Sequence, residues 1–278
     1  MISLVRRHSE FQLPPSVDLK DAHQAVKCFV IVWIGLGLSF ATAGTMPQPR
    51  GDAFTGTQQK PAVENLHRAL PLLREGDIIF ISRMHPLYRR LAETSGSWES
   101  HVGILLRNSR GAWTVAQSTI PVSNVVPLER FVGTSENGRF LVRRLRGGLP
   151  GDAVDRLHAA TSRRMGVVYD SGFNYDSPRQ YCSKFVFGCF SEATGQQVGK
   201  VVTFREMLAE NPGTPVAFWR AWFLGRIPWE RRCVTTTSQL RAPNMVTVFD
   251  SEKTRGDEAG QHPRAIAAPA MRISSSGR

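Results

Sequence analysis

Several of the patterns that announce a function are missing from this chain. Its four cysteines, Cys28, Cys182, Cys189 and Cys233, form no CxxC pair and no metal-ligand spacing with histidine. That argues against a zinc centre, and no metal or other cofactor is implied. Four cysteines in 278 residues are too few for a disulfide scaffold. No internal repeat is visible. Basic residues occur as scattered pairs (6–7, 89–90, 143–144, 163–164, 231–232), with no long basic run and no basic helix interleaved with aromatics. Nucleic acid is therefore not an expected partner.

What is present is a globular composition with a formal net charge of +12, a balance that favours acidic polymers or anionic surfaces. Residues 28–43, "CFVIVWIGLGLSFATA", follow Lys27 and end in small residues. This is the pattern of a secretory signal peptide, and it is short for a spanning helix, which needs roughly twenty residues. The leader 1–26 before it is long and mixes both charges, so a retained N-terminal anchor and a buried core helix stay open as alternatives. The expected organisation is leader and signal at 1–43, a Gly/Pro/Thr/Gln linker at 44–62, one domain at 63–250 and a disordered polar tail at 251–278. The protein is expected to be exported, periplasmic or extracytoplasmic, with membrane proximity through 28–43 if that segment is retained.

Within the domain, "AVENLHRALPLLREGD" reads as an amphipathic helix and "DIIFISR" (77–83) as a strand. "SHVGILLRN" (100–108) and "AWTVAQST" (112–119) read as a hairpin turning at Asn108–Gly111, and "GRFLVRRLRG" (138–147) as a further strand. A helix over 151–166 would be capped by Asp152. "DSPRQYCSKFVFGCF" (176–190) carries a second helix-start signal: Ser177 as N-cap, Pro178 at the first helical position and Gln180 as the capping-box residue, with a stop at Thr194–Gly195. "CVTTTSQL" and "NMVTVFD" read as extended.

A cysteine nucleophile needs help to lose its proton, from a helix N-terminus, an imidazole or both. Cys182 lies near the start of that helix, where unpaired N–H groups and the helix dipole favour a thiolate and can hold an oxyanion. Of the seven histidines, His101 stands apart because it opens a strand; the competing reading is a hydrogen-bonded strand-end histidine. Cys189 is about two turns, roughly 10 Å, from Cys182. That is beyond disulfide reach, and core packing is the simplest reading for it. A Cys189–Cys233 disulfide is a minor alternative.

"EGDIIF", "SHVGILL", "VAQST…VPLERF" and "YD…F…YCSKFV", in that order, resemble the permuted papain-like cysteine hydrolases, the YiiX/YebB-like branch of the NlpC-type peptidase superfamily. The likeness covers roughly residues 70–195. In that branch the histidine strand precedes the cysteine helix, as here. The resemblance implies an α+β fold in which an antiparallel sheet packs on the helix carrying the cysteine. It implies Cys182 as nucleophile and His101 as general base, with a third polar residue on the next strand to orient the imidazole. Many relatives have glutamate there; this chain has Gln117, whose amide oxygen can accept the imidazole N–H. Glu99 is a weaker substitute. Gly76 and Asp77 match the strand-opening turn, and Tyr169 and Asp170 the family's "YD" pair. Trp98, Tyr169 and Tyr181 are candidate substrate contacts. The implied activity is cleavage of an amide or ester through an acyl-enzyme. The substrate would be a cell-wall peptide, favoured by the basic surface, or a lipid amide, favoured by the apolar "VAFWRAWFLGRIPW". A lipid acyltransferase and a non-catalytic binding module on the same fold are the competing functions.

Overall fold

A computed structural model describes residues 59–253. The leader, the signal segment with Cys28, most of the linker and the tail beyond 253 lie outside the described residues. Six antiparallel strands form the main sheet: β1 (Ile78–Arg83), β2 (His101–Arg107), β3 (Trp113–Gln117), β4 (Asn124–Pro127), β5 (Ser135–Leu145) and β8 (Met245–Asp250), in the order β4-β3-β2-β1-β5-β8. Between them come helices α1 (Gln59–Ala69), α2 (Pro86–Thr94), α3 (Leu128–Gly133), α4 (Ala153–Ser162) and α5 (Cys182–Thr194). A smaller unit follows: β6 (Val201–Thr203), α6 (Phe204–Ala209), α7 (Val216–Trp222), β7 (Arg232–Val234) and α8 (Thr236–Leu240), with β6 pairing β7. Among the described residues no helix is long and apolar enough to cross a membrane.

The apolar runs of β1 and β2 follow from burial on both faces. Ile78, Phe80, Val102, Ile104 and Ala116 pack on α4 and α5 through Leu157, Phe185, Val186, Cys189 and Phe190. Ile79, Ile81, Leu105 and Val115 pack on α1 and α3 through Leu66, Leu128 and Phe131. The β2–β3 hairpin turns where the sequence places it, with Asn108 Oδ1 accepting from the N–H groups of Arg110 and Ala112 at 3.0 Å each. Gly76 has φ +82°, and a Cβ there would come within 2.3 Å of Leu149 Cδ1. That strand-opening turn is therefore a structural requirement. Asp77, fully buried, accepts from Arg144 Nε at 2.7 Å and Nη2 at 2.8 Å.

The structure corrects several boundaries. The helix bearing the two cysteines starts at Cys182, not at Ser177, and Tyr181 is its N-cap without a side-chain cap bond. Residues 177–180 are drawn elsewhere: the Gln180 N–H donates to Val168 O at 3.0 Å and Gln180 O accepts from Asp170 N at 2.6 Å, a parallel bridge that helical dihedrals at Gln180 would break. Its end at Gly195, left-handed with φ +70°, agrees with the sequence. Asp152 makes no side-chain cap bond and pairs with Arg156 instead. "TTSQL" is a helix rather than a strand, because Thr235 Oγ1 accepts from Ser238 N at 3.0 Å and starts α8. α1 begins inside the expected linker. Ser251 belongs to the domain and not the tail, since its buried hydroxyl accepts from Phe140 N at 3.0 Å. Cys189 lies in the α5 core and Cys233 in a separate aromatic cluster with Phe204, Met207 and Trp219; both are free thiols, so the disulfide is not formed.

Candidate active site

Sheet register lines up four polar side chains. Ile81 pairs with His101, which puts Arg83, two residues on, on the same face as His101. The Ile104–Ala116 pairing sets Gln117 opposite Gly103, on that face again, and Gln117 pairs with Asn124 of β4. The result is a row across β1, β2, β3 and β4. His101 Nε2 lies 2.6 Å from Gln117 Oε1, Arg83 Nη2 donates to the same oxygen at 3.2 Å, and Gln117 Nε2 donates to Asn124 Oδ1 at 3.1 Å. Arg83 Nη2 is also 3.2 Å from His101 Nε2. Phe131 of α3 backs the imidazole at 5.6 Å between ring centroids, and Tyr88 lies under the Arg83 guanidinium at 5.5 Å.

His101 is 2 % exposed. Burial, and then the Arg83 cation, hold its imidazole well below the ordinary histidine range, against the opposing hydrogen bond to Gln117 Oε1. His101 is therefore uncharged at neutral pH.

Cys182, the first residue of α5, sits on the other face of the sheet at the same end of β2. Burial pushes its thiol up, contrary to the depressed value that a helix N-terminus alone suggests. The N–H of Ser183, the Arg83 charge and the N–H groups of Val102 and of Cys182 itself pull against burial. The sulfur therefore lies against the backbone of the residue that follows His101. Among the described residues no hydrogen bond joins the thiol to the imidazole. The structure thus brings His101 and Gln117 into direct contact and sets Cys182 next to them through the β2 backbone.

A cavity of about 70 Å³ opens at Cys182, walled by Leu91, Tyr169, Phe173, Phe204, Met207 and Trp219. The apolar "VAFWRAW" stretch supplies this wall through Trp219, which meets Phe204 edge-on at 5.2 Å between centroids. Trp219 Nε1 is buried without a partner. Of the three expected substrate contacts, Tyr169 and Tyr181 line the cavity. The Tyr181 hydroxyl accepts from Val234 N at 2.9 Å and fixes β7 beside α5. Trp98 is not among the lining residues; the Arg139 guanidinium stacks on it at 4.0 Å. Glu99 is fully buried and spent on Ser97 and on Thr237 Oγ1, with burial raising its pKa. It does not stand in for Gln117. Arg83 and Asn124 carried no motif; a charged residue ending an apolar strand was the one sequence signal for Arg83. Among the described residues no group of three or more His, Cys, Asp or Glu side chains could hold a metal ion.

Comparison with known proteins places this geometry. Residues 72–249 match the family model described as "Permuted papain-like amidase enzyme, YaeF/YiiX, C92 family". The "Uncharacterized protein YiiX" of Escherichia coli (strain K12) is 28% identical over 173 residues, covering 62% of this chain and 84% of that protein. A crystal structure of "metalloprotein yiiX" from Escherichia coli O157:H7 superposes with a TM-score of 0.59 at 28% identity, covering 64% of this chain and 97% of that one. With the family's histidine strand placed before its cysteine helix, and the match running through both, this chain belongs to the permuted papain-like amidases of the YaeF/YiiX family.

Proposed function

We propose that the protein is a cysteine amidase with Cys182 as nucleophile, His101 as general base and then acid, and Gln117 as the group that orients the imidazole. The observation that carries this is the 2.6 Å contact between His101 Nε2 and Gln117 Oε1 beside a cysteine at the first position of a helix. In the substrate-free protein both partners are neutral. As the sulfur attacks the carbonyl carbon, the thiol proton passes to the remaining ring nitrogen of His101. The same N–H groups that oppose burial at Cys182 then serve the developing charge, and an oxyanion-hole donor of this kind is worth about 10²–10³ in rate. Collapse of the tetrahedral intermediate breaks the C–N bond, and His101 protonates the departing amine. Water, deprotonated by His101, then cleaves the thioester and releases the acid. The hydrogen bond between thiol and imidazole, not made in the substrate-free protein, forms in the substrate complex.

The aromatic wall beside Cys182 favours an apolar group on the acyl side of the scissile bond over a charged peptide stem. The Escherichia coli O157:H7 relative is called a metalloprotein; among the described residues of this chain no group of three or more His, Cys, Asp or Glu side chains fits a metal ion. Export through the 28–43 segment would place the enzyme outside the cytoplasm. The test is turnover of N-acyl amino acids with apolar acyl groups against purified muropeptides, by wild type and Cys182→Ser. Release of amine from the former, lost in the variant, supports the reading; full turnover by Cys182→Ser overturns it.

A second reading is a binding module on the same fold. The elevated thiol pKa favours it. Tight binding of an acyl amide, with no release of amine and no acylation of Cys182 by intact mass, would establish it.

A further inference from the structure

A glutamate in the third position of such a site accepts through either oxygen, so its orientation needs no control. An amide does. Gln117 can present its oxygen to His101, and its NH₂ to Asn124. It can also present the reverse face, with Asn124 turned over to donate. The first arrangement accepts a proton from His101 Nε2 and leaves Nδ1 as the free base. The second donates to Nε2, moves the ring proton to Nδ1 and removes the base. His101, Gln117 and Asn124 alone satisfy either arrangement equally well, because Asn124 is also an amide.

Arg83 breaks that symmetry. The structure assigns it as a positioning residue that fixes the Gln117 amide, and through it the His101 tautomer. Its Nη2 lies 3.2 Å from the Gln117 atom facing His101. Guanidinium has donors and no acceptor, so either the Gln117 oxygen accepts from both Arg83 and His101, or His101 Nε2 accepts from both Arg83 and the Gln117 NH₂; an amide oxygen has two lone pairs for two donors and a ring nitrogen only one. The atom facing Arg83 must be the oxygen. At 2.6 Å from His101 Nε2, an oxygen acceptor requires the hydrogen on Nε2. Arg83 Nη2, 3.2 Å from Nε2, is then a neighbour of that ring nitrogen and not its donor. Tyr88 lies under the guanidinium, the backbone N–H of Arg83 donates to Ser100 Oγ at 3.0 Å and fixes the end of the strand, and among the described residues no carboxylate pairs with the side chain. The device rests on the proposed role of His101, but the tautomer is a property of the free protein and is read without substrate.

The experiment is nitrogen NMR of ¹⁵N-histidine-labelled residues 59–253 within the full chain, with His101 assigned by its loss in His101→Asn. At neutral pH the wild type is expected as a single Nε2–H tautomer. Arg83→Met should show both tautomers. Adding Asn124→Asp to that variant should return the single Nε2–H form, because a carboxylate at 124 accepts only and forces the Gln117 NH₂ toward itself. Asn124→Ala alone, with Arg83 in place, should keep it. An Nδ1–H tautomer in the wild type overturns the assignment, even if Arg83→Met fails to fold. So does an unchanged single Nε2–H form in a folded Arg83→Met. Loss of activity with the predicted tautomers intact would count against the amidase reading alone.

Discussion

Cys182 and Cys189 share one helix and one residue type, yet their surroundings differ completely. Both are buried, at 5 % and 0 % exposure. Burial pushes Cys189 up to about 12, opposed only by the charges of Arg164 and Arg163. At Cys182 burial acts in the same direction, but three backbone N–H groups and the Arg83 cation oppose it. Depth therefore does not separate the proposed nucleophile from a core thiol. What separates them is the supply of donors for a negative sulfur, and a helix offers those only in its first turn.

The contrast can be broken most forcefully by truncation. Cys182→Ala is expected to lower kcat by about 10³-fold or more, whereas Cys189→Ala should leave kcat unchanged; steady-state turnover of an N-acyl amino acid decides, and equal losses would erase the distinction. Next in size is labelling. Iodoacetamide on the folded protein should mark Cys182 well before Cys189 or Cys233, with peptide mass mapping as the readout. Simultaneous labelling would mean that only unfolding exposes any of them.

Across the β2 backbone from the donor-rich end of α5 lies a buried neutral imidazole, which leaves a signature in stability. His101 has a folded pKa below its unfolded value. Its contribution is therefore complete above the unfolded pKa of about 6.5 and is lost as pH falls from there toward the folded pKa, by at most about 1.4 kcal/mol per pH unit. Urea unfolding across pH 7.5 to 5 should show this slope in wild type and a flatter one in His101→Asn; parallel curves would contradict it. The smallest effect belongs to the core end. Cys189→Ala removes one buried sulfur from the core that α5 shares with the sheet and should cost ~1 kcal/mol, seen as a lower urea midpoint at unchanged slope.

The sheet was legible because its rules are local or periodic. The apolar runs of β1 and β2, the Asn108–Gly111 turn and the left-handed stop at Gly195 all read directly from residue type. The start of α5 did not, although Ser177, Pro178 and Gln180 make a good capping sequence, because Gln180 is claimed by a partner, Val168, that no local signal names. α8 hid behind β-branched threonines whose first member caps rather than extends. At the candidate site, His101, Gln117 and Cys182 are named by order and resemblance. Arg83 could not, since its place beside His101 depends on the offset between β1 and β2, and register is a tertiary quantity. The direction of the thiol shift was misjudged for a related reason: the helix terminus is visible in sequence, but the burial that outweighs it is not.

The order of the parts along the chain has a consequence for how the protein is made. Gln117 leaves the ribosome 65 residues ahead of Cys182 (182 − 117), which at roughly 5–20 residues per second is about 3–13 s. By then β1 to β5 have all been synthesised, and only β8 of the main sheet is still to come. The proposed nucleophile is thus the late arrival: it meets a histidine whose strand and partnering amide are already outside the tunnel.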